Sequence, residues 1–324
     1  MNRSAHPENG YAFLPETGVL SLSGKDAAKL LQGQATCDIL GLPPGQTTLG
    51  ALCTPKGRAL AVFRVLRLED RIFLLLPEEL LETVSKRLRM FVLRADVKIE
   101  DVSGAWAAFG LFGEKSAAAA LQTLGLPALG LDNEAEGQGG LLASFYAIRI
   151  PDPGSPRLLV LADAAKADGI GRFLEAHAIP RWDASRWQLE DIRAGLPSVA
   201  AATVEEFVPQ MLNLDLLGGI SFNKGCYTGQ EIVARTHYLG HLKRRMFRLA
   251  GAEGPLPQAG ESLFAEGGEA QGAGTVVAAA TAPTGGFEVL AVLNVNSAED
   301  AQARFKTANG SPLSLAGLPY RPAA

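Results

Sequence analysis

The densest chemistry in the sequence lies between Gly218 and Arg235, which reads Gly-Gly-Ile-Ser-Phe-Asn-Lys-Gly-Cys-Tyr-Thr-Gly-Gln-Glu-Ile-Val-Ala-Arg. Four glycines fall within twelve residues, at 218, 219, 225 and 229. Glycine permits positive φ and close approach of the backbone to a ligand or another chain segment. Cys226 sits among them, two residues after Lys224 and just ahead of Glu231 to Ala234, which suit a helix beginning after Gly229. A helix start offers unbonded N–H groups, and together with nearby cations it favours a thiolate able to act in redox exchange or in sulfur or iron handling. From Gly218 to Leu249 six basic residues (Lys224, Arg235, Lys243, Arg244, Arg245, Arg248) face one acid, Glu231. The alternative for Cys226 is a buried thiol packing as a small hydrophobe, and Lys243 to Arg245 read most simply as a solvated face.

Other residues have chemistry to offer. Trp187 falls on a helix expected over Asp183 to Ala194, and an aromatic face stacks on flat heterocycles as readily as on a core. Gln32 and Gln34 follow the first helix and read either as amide contacts to a ligand or as turn residues. His237 and His241 are four apart and share a face if helical, but no further histidine or cysteine stands at ligand spacing, so no metal is expected. The phosphate loop G-x-x-x-x-G-K-[ST], H-E-x-x-H and G-x-S-x-G are all absent, which removes support for common nucleotide, zinc-protease and hydrolase readings.

These residues need a frame. Val19 to Leu22 reads as a strand, Ser23 and Asp26 as an N-capping pair, and Ala27, Leu30 and Leu31 as a helix. Ala59 to Leu66 and Arg71 to Leu76 form a hairpin around Leu68 to Asp70, and Leu80, Leu81, Val84 and Leu88 give a helix one apolar face. The pattern repeats with Ala105 to Leu111 as strand, Lys115 to Leu121 as helix, Ser144 to Arg149 and Arg157 to Leu161 as hairpin and Ala164 to Ala176 as helix. The fold class is therefore α+β, with two β-α-β-β-α units near 15–103 and 104–195 within a region 1–245. From Met246 helical periodicity is lost. Phe247 to Leu249, Ser262 to Phe264, Thr275 to Ala279, Phe287 to Leu293 and Ala303 to Lys306 read as strands of a small β-barrel domain over 246–324.

The 324 residues carry a net charge of −4, which argues against general nucleic-acid binding, since phosphate contacts need a basic surface. The three cysteines, Cys37, Cys53 and Cys226, are widely spaced and form neither a disulfide framework nor a local cluster-binding set. Met1 to Gly10 is polar, and no apolar run reaches membrane-spanning length, so a cytoplasmic protein with no membrane partner is expected.

Lys224-Gly225-Cys226-Tyr227-Thr228-Gly229-Gln230-Glu231 resembles the K-G-C-[FY]-x-G-Q-E signature of the YgfZ family, with every fixed position present. The stretch from Ser23-Gly24 through Leu31-Gln32-Gly33-Gln34-Ala35-Thr36-Cys37-Asp38 resembles the family's S-G-x-D-A-x-x-x-L-Q-G-Q-x-T-x-D. Arg193-Ala-Gly-Leu-Pro and Phe207-Val-Pro-Gln-Met-Leu-Asn-Leu match the approach to the signature, so the likeness runs from about residue 19 to 249. It implies a fold like the glycine-cleavage T-protein with a C-terminal barrel and tetrahydrofolate or a derivative as ligand. It also implies support of iron–sulfur cluster assembly or repair in client enzymes, including tRNA-modifying radical enzymes. Trp187 stands where members carry a ligand-facing tryptophan, and Arg193 and the basic residues after Arg235 could meet the folate tail carboxylates. The rival is aminomethyl transfer of the T-protein type. There the first hairpin carries Asp-Asp after a Gly-Gly turn and a Glu pairs with the pterin. The matching positions here are Lys56-Gly-Arg-Ala-Leu-Ala61, without an acid, and Arg193. A guanidinium only donates and cannot replace a carboxylate acceptor. A folate-free scaffold that holds apo-enzymes through the Lys224–Arg245 face is the third reading.

Overall fold

The computed structural model describes residues 9–123, 135–139, 142–150, 157–238, 240, 242–265, 272–299 and 304–322. It opens with strand β1 (Gly10–Phe13), whose partners come much later in the chain. The first unit follows as β2 (Thr17–Ser23), α1 (Ala27–Gln32), β3 (Thr47–Cys53), β4 (Ala59–Arg67), β5 (Arg71–Pro77), α2 (Leu81–Arg89) and β6 (Lys98–Asp101). The second runs β7 (Trp106–Phe112), α3 (Gly113–Thr123), β8 (Ala135–Gly139), β9 (Leu142–Ile150), β10 (Arg157–Asp163), α4 (Ala167–Ala176) and β11 (Arg181–Trp182). The two expected units are thus present, and each carries additional short strands. The sheet orders, β3-β4-β5-β2-β6 and β8-β9-β10-β7-β1-β11, are the same once β1 is recognised as an insertion beside β7.

The strands alternate between two buried faces, which explains their nearly continuous apolar texture. Ile72, Leu74 and Leu76 of β5 pack with Leu31, Val84 and Leu88 of the helices, whereas Phe73 and Leu75 face the opposite way. There they meet Ala108, Phe112, Ile148, Leu159 and Leu161 of the second sheet. Phe109, Leu111, Leu158 and Val160 point outward again, against Ala117 and Leu174 of α3 and α4. The result is helices, sheet, sheet, helices, with an aromatic knot of Phe73, Trp106 and Tyr146 between the sheets, ring centroids 5.2–5.8 Å apart.

Helix α5 (Ala184–Ala194) is capped by Asp183, whose side chain accepts from the Ser185 amide, and α6 (Gln230–Tyr238) starts directly after Gly229. The C-terminal strands β12 (Arg244–Gly251), β13 (Ser262–Ala265), β14 (Gly272–Thr281), β15 (Phe287–Asn294), β16 (Phe305–Lys306) and β17 (Pro312–Ala316) close into a barrel in the order β12-β15-β14-β13-β16-β17. A short helix, α7 (Val295–Glu299), interrupts a region expected to hold none. Ala303, expected in a strand, lies outside the described residues. The proposed cap of α1 is absent: Asp26 makes no capping bond, and its carboxylate instead accepts from the Asp96 amide at 2.9 Å.

Candidate functional site

The two matched motifs, about 190 positions apart in the chain, are knitted together. Lys224 Nζ donates to the carbonyls of Gln32 (2.6 Å), Ala35 (2.6 Å) and Cys37 (2.8 Å) and stands 5.0 Å over the Tyr227 ring. An ammonium has three N–H donors, so all three are taken by the loop after α1. Thr228 adds two bonds to that loop, its amide to the Gly33 carbonyl at 3.3 Å and its hydroxyl to Gln34 Oε1 at 3.0 Å. The fully buried Thr36 donates to the Gly219 carbonyl at 2.6 Å, accepts from the Ala51 amide at 2.9 Å and bonds the Ser221 amide through its own carbonyl. Gln230 Oε1 turns back to accept from the Tyr227 amide. Gln32 shapes the turn, accepting from the Ile39 and Leu40 amides and donating to Asp38.

The glycines divide by role. Gly229 has φ +86°, and a Cβ there would lie 2.5 Å from the Thr54 carbonyl and 3.1 Å from Gly57 Cα. Gly57, with φ +70°, would strike Ile232 in return. The pair lets the β3–β4 turn press onto the start of α6. Gly225 meets nothing within 4 Å, so it leaves open space beside Cys226, which is exposed. Cys226 lies four residues before α6, and the neighbouring cation expected to activate it is spent on carbonyls. Glu231 is exposed as well. Burial lowers the Lys224 ammonium to about 8, opposed by the nearby Cys37 and Asp38.

Cys37 and Cys53 are buried core thiols, each pushed up to about 12 by loss of solvent. Burial likewise lifts Tyr11 and Tyr320 to about 12. In an unfolded chain the two thiols ionise near 9.0. A folded value above the unfolded one gives stability that is complete below pH 9 and lost as pH rises toward 12. Lys224 works the other way between about 8 and 10.5, but one group faces four. We expect denaturant midpoints to fall between pH 9 and 10.5, and Cys37→Ala or Cys53→Ala to flatten that fall even as it lowers stability at pH 7.

Trp187 and Arg193 lie together on α5 but face different neighbours. The indole rests on Gly110, where a Cβ would come within 2.2 Å of Cε3. Phe112 meets it edge-on at 5.5 Å, and the Arg157 guanidinium lies 4.7 Å over the ring. Arg193 donates to Glu288 of β15 from Nε (2.9 Å) and Nη2 (2.7 Å), and to Glu190 from Nη1 (3.0 Å). Three of its five N–H groups are therefore engaged. Glu288 also accepts from Arg248 Nε at 2.7 Å, and Tyr320 donates to the Gly195 carbonyl at 2.6 Å. Helix α5 is thus pinned to the barrel by charge. Its Leu189 and Ile192 share a core with Tyr227 of the signature and Val233 of α6, while Trp187 packs in the layer between the sheets.

Arg245 departs from the expected solvated face. It is 8% exposed and holds Asp215 at 2.9–3.0 Å, with further bonds to Gln210 and Asn213. The alternation of β12 turns it inward while Lys243 and Arg244 remain exposed. His237 stacks on Phe222 at 3.8 Å, and His241 lies outside the described residues. Among the described residues no group of three or more His, Cys, Asp or Glu could hold a metal, and no helix is long and apolar enough to cross a membrane.

Residues 15–133 match the model of the GCVT N-terminal domain. The whole fold is similar to the glycine cleavage system aminomethyltransferase T from Bartonella henselae, with a TM-score of 0.79 at 17% identity, covering 98% of this chain and 87% of that one. The architecture is that of the T-protein class. Among curated relatives, the tRNA-modifying protein YgfZ of Enterobacter sp. (strain 638) is 34% identical over 312 residues, 95% of this chain and 92% of the relative. Its namesake in Edwardsiella ictaluri is 35% identical over 302 residues, 93% and 89% of the two chains. The chain belongs to the YgfZ family.

Proposed function

We propose that this chain is a folate-binding accessory protein that supports assembly or repair of iron–sulfur clusters in client enzymes, tRNA-modifying radical enzymes among them, in the cytoplasm. One observation carries the reading: a T-protein frame in which the acid positions of aminomethyl transfer are refilled. Ala59, Leu60 and Ala61 are buried in the core, none more than 7% exposed. Position 193, which matches the pterin-pairing acid of the T-protein pattern, is an arginine held by Glu190 and Glu288. Family relatives named as tRNA-modifying proteins support the choice of client.

Tetrahydrofolate would be held by the 1–245 region, with Trp187 and Arg193 as contacts, and supplies a reduced pterin and its one-carbon nitrogen. The 246–324 barrel braces α5 through Glu288. Cys226, exposed beside the open space at Gly225, is the residue assigned to redox or sulfur and iron handling. Lys224, Tyr227, Gly229 and Gln230 position its loop.

The test is rescue of a strain lacking the native gene, read as activity of an iron–sulfur tRNA-modifying enzyme. Wild type should restore it, and Cys226→Ala should leave it well below wild type, as loss of a reacting thiol requires. Full rescue by Cys226→Ala would sink the role of that thiol. Measurable formation of methylene-tetrahydrofolate from an aminomethyl donor would overturn the accessory reading itself.

A further inference from the structure

The β3–β4 turn, the loop ahead of Pro209 and the start of the barrel border an open cavity of about 630 Å³. Four cations line it: Lys56, Arg58, Lys243 and Arg244. Lys56, Lys243 and Arg244 are exposed, and among the described residues none of the three is engaged in an ion pair. Only Arg58 has a fixed partner, the Glu206 carbonyl. The cavity therefore gathers four cations against two acids, Glu205 and Glu206, a net positive lining, even though the whole protein carries −4.

The wall is rigid. Glu205 takes φ +64°, a left-handed conformation unfavourable for a residue with a Cβ. It is held there by bonds from the Glu205 amide to the Ala59 carbonyl and from the Ala59 amide to the Phe207 carbonyl. The opposite turn is fixed by the Gly57–Gly229 contact, so the cavity adjoins the start of α6.

The volume suits a small molecule rather than a groove for a macromolecule. Four cations call for several anionic groups, while Glu205 and Glu206, on the same wall, repel a ligand made only of anionic oxygens and reward one that also carries N–H donors. Phe207 and Met211 add an apolar lining. A chain of γ-linked glutamates has all three features: a carboxylate and an amide N–H in every unit, joined by methylenes. We propose that this cavity binds the oligo-γ-glutamyl tail of the folate, so that the protein selects polyglutamylated tetrahydrofolates; the inference rests on the folate reading above.

Calorimetry on the full chain tests it with tetrahydrofolate monoglutamate, tetrahydrofolate pentaglutamate and free penta-γ-glutamate. The pentaglutamate should bind about tenfold or more tightly than the monoglutamate, as expected for one or two added charge-assisted contacts. Lys56→Glu with Lys243→Glu should bring that ratio near one and leave the monoglutamate affinity unchanged. Both sites are exposed, and a thermal melt will confirm that the variant folds. Equal wild-type affinity for the two folates overturns the tail site and leaves the folate reading standing. Failure of both folates to bind overturns the folate reading; free penta-γ-glutamate then decides the cavity, which is upheld by binding that the double variant loses and overturned by no binding. Tripolyphosphate competing as well as penta-γ-glutamate also overturns the assignment.

Discussion

Lys224→Met will lower stability by about 2–3 kcal/mol and free the signature loop from the loop after α1. The side chain makes three short bonds to the Gln32, Ala35 and Cys37 carbonyls. Bonds to a charged donor contribute about 1.5–3 kcal/mol each when removal leaves the acceptor unmatched. The sum is not reached, because the ammonium gives up hydration to sit there and some of the freed carbonyls recover water. Lys224→Arg will fare only slightly better, since a planar guanidinium fork cannot converge on three carbonyls as a tetrahedral ammonium does. Urea unfolding gives the energy, and hydrogen exchange gives the place. The Thr228 and Ser221 amides, which bond the Gly33 and Thr36 carbonyls, should exchange faster at once, while the β5 amides follow only the global change. If those two amides keep wild-type protection, the clasp is not what orders the loop.

This clasp shows what the sequence could and could not reveal. The motifs at Leu31–Asp38 and Lys224–Glu231 are both legible as patterns, but nothing in their spacing says that they touch. The lysine beside Cys226 invites a reading in terms of thiol chemistry, because sequence proximity suggests electrostatic proximity. In space its charge points into a ring of carbonyls, a destination only tertiary structure can supply. The same limit applies to Arg245, where three basic residues in a row look solvated until the alternation of β12 turns the last one inward onto Asp215. Strands with two apolar faces, such as β4, β5, β7 and β10, were readable from composition alone. Those missed were short or masked by polar residues: Lys98–Asp101 carries three charged side chains at a sheet edge, and Thr47–Cys53 opens on two threonines and contains Gly50. Gly10–Phe13 gains its place only by insertion between β7 and β11.

Glu288→Gln will destabilise the protein by about 3 kcal/mol, the low end of the cost of breaking a buried ion pair. The carboxylate is 8% exposed and serves two guanidinium groups, Arg193 at 2.7 Å and Arg248 at 2.7 Å. Its loss leaves both cations facing an uncharged amide, with Arg193 keeping only Glu190. The arginines are about a fifth exposed, which admits water and keeps the effect from the top of the range. A more searching variant is Arg193→Glu, which restores the acid of the T-protein at this position. Three carboxylates would then crowd one another, at positions 190, 193 and 288, and like charges at such range cannot all remain ionised. The single change should cost more than Glu288→Gln at pH 7, and the loss should shrink as pH falls, because protonation of the crowded carboxyls relieves their repulsion. Glu288→Arg in the same chain supplies a cation to the new acid, and a double-mutant cycle should return at least about 1 kcal/mol of coupling between the two sites. No coupling would mean that α5 and the barrel are joined by packing alone. If the coupling is found, the arginine at 193 and the acid at 288 are one device. The barrel strand β15 then holds in place one of the residues that depart from the aminomethyltransferase pattern, and an acid at 193 requires a compensating change at 288.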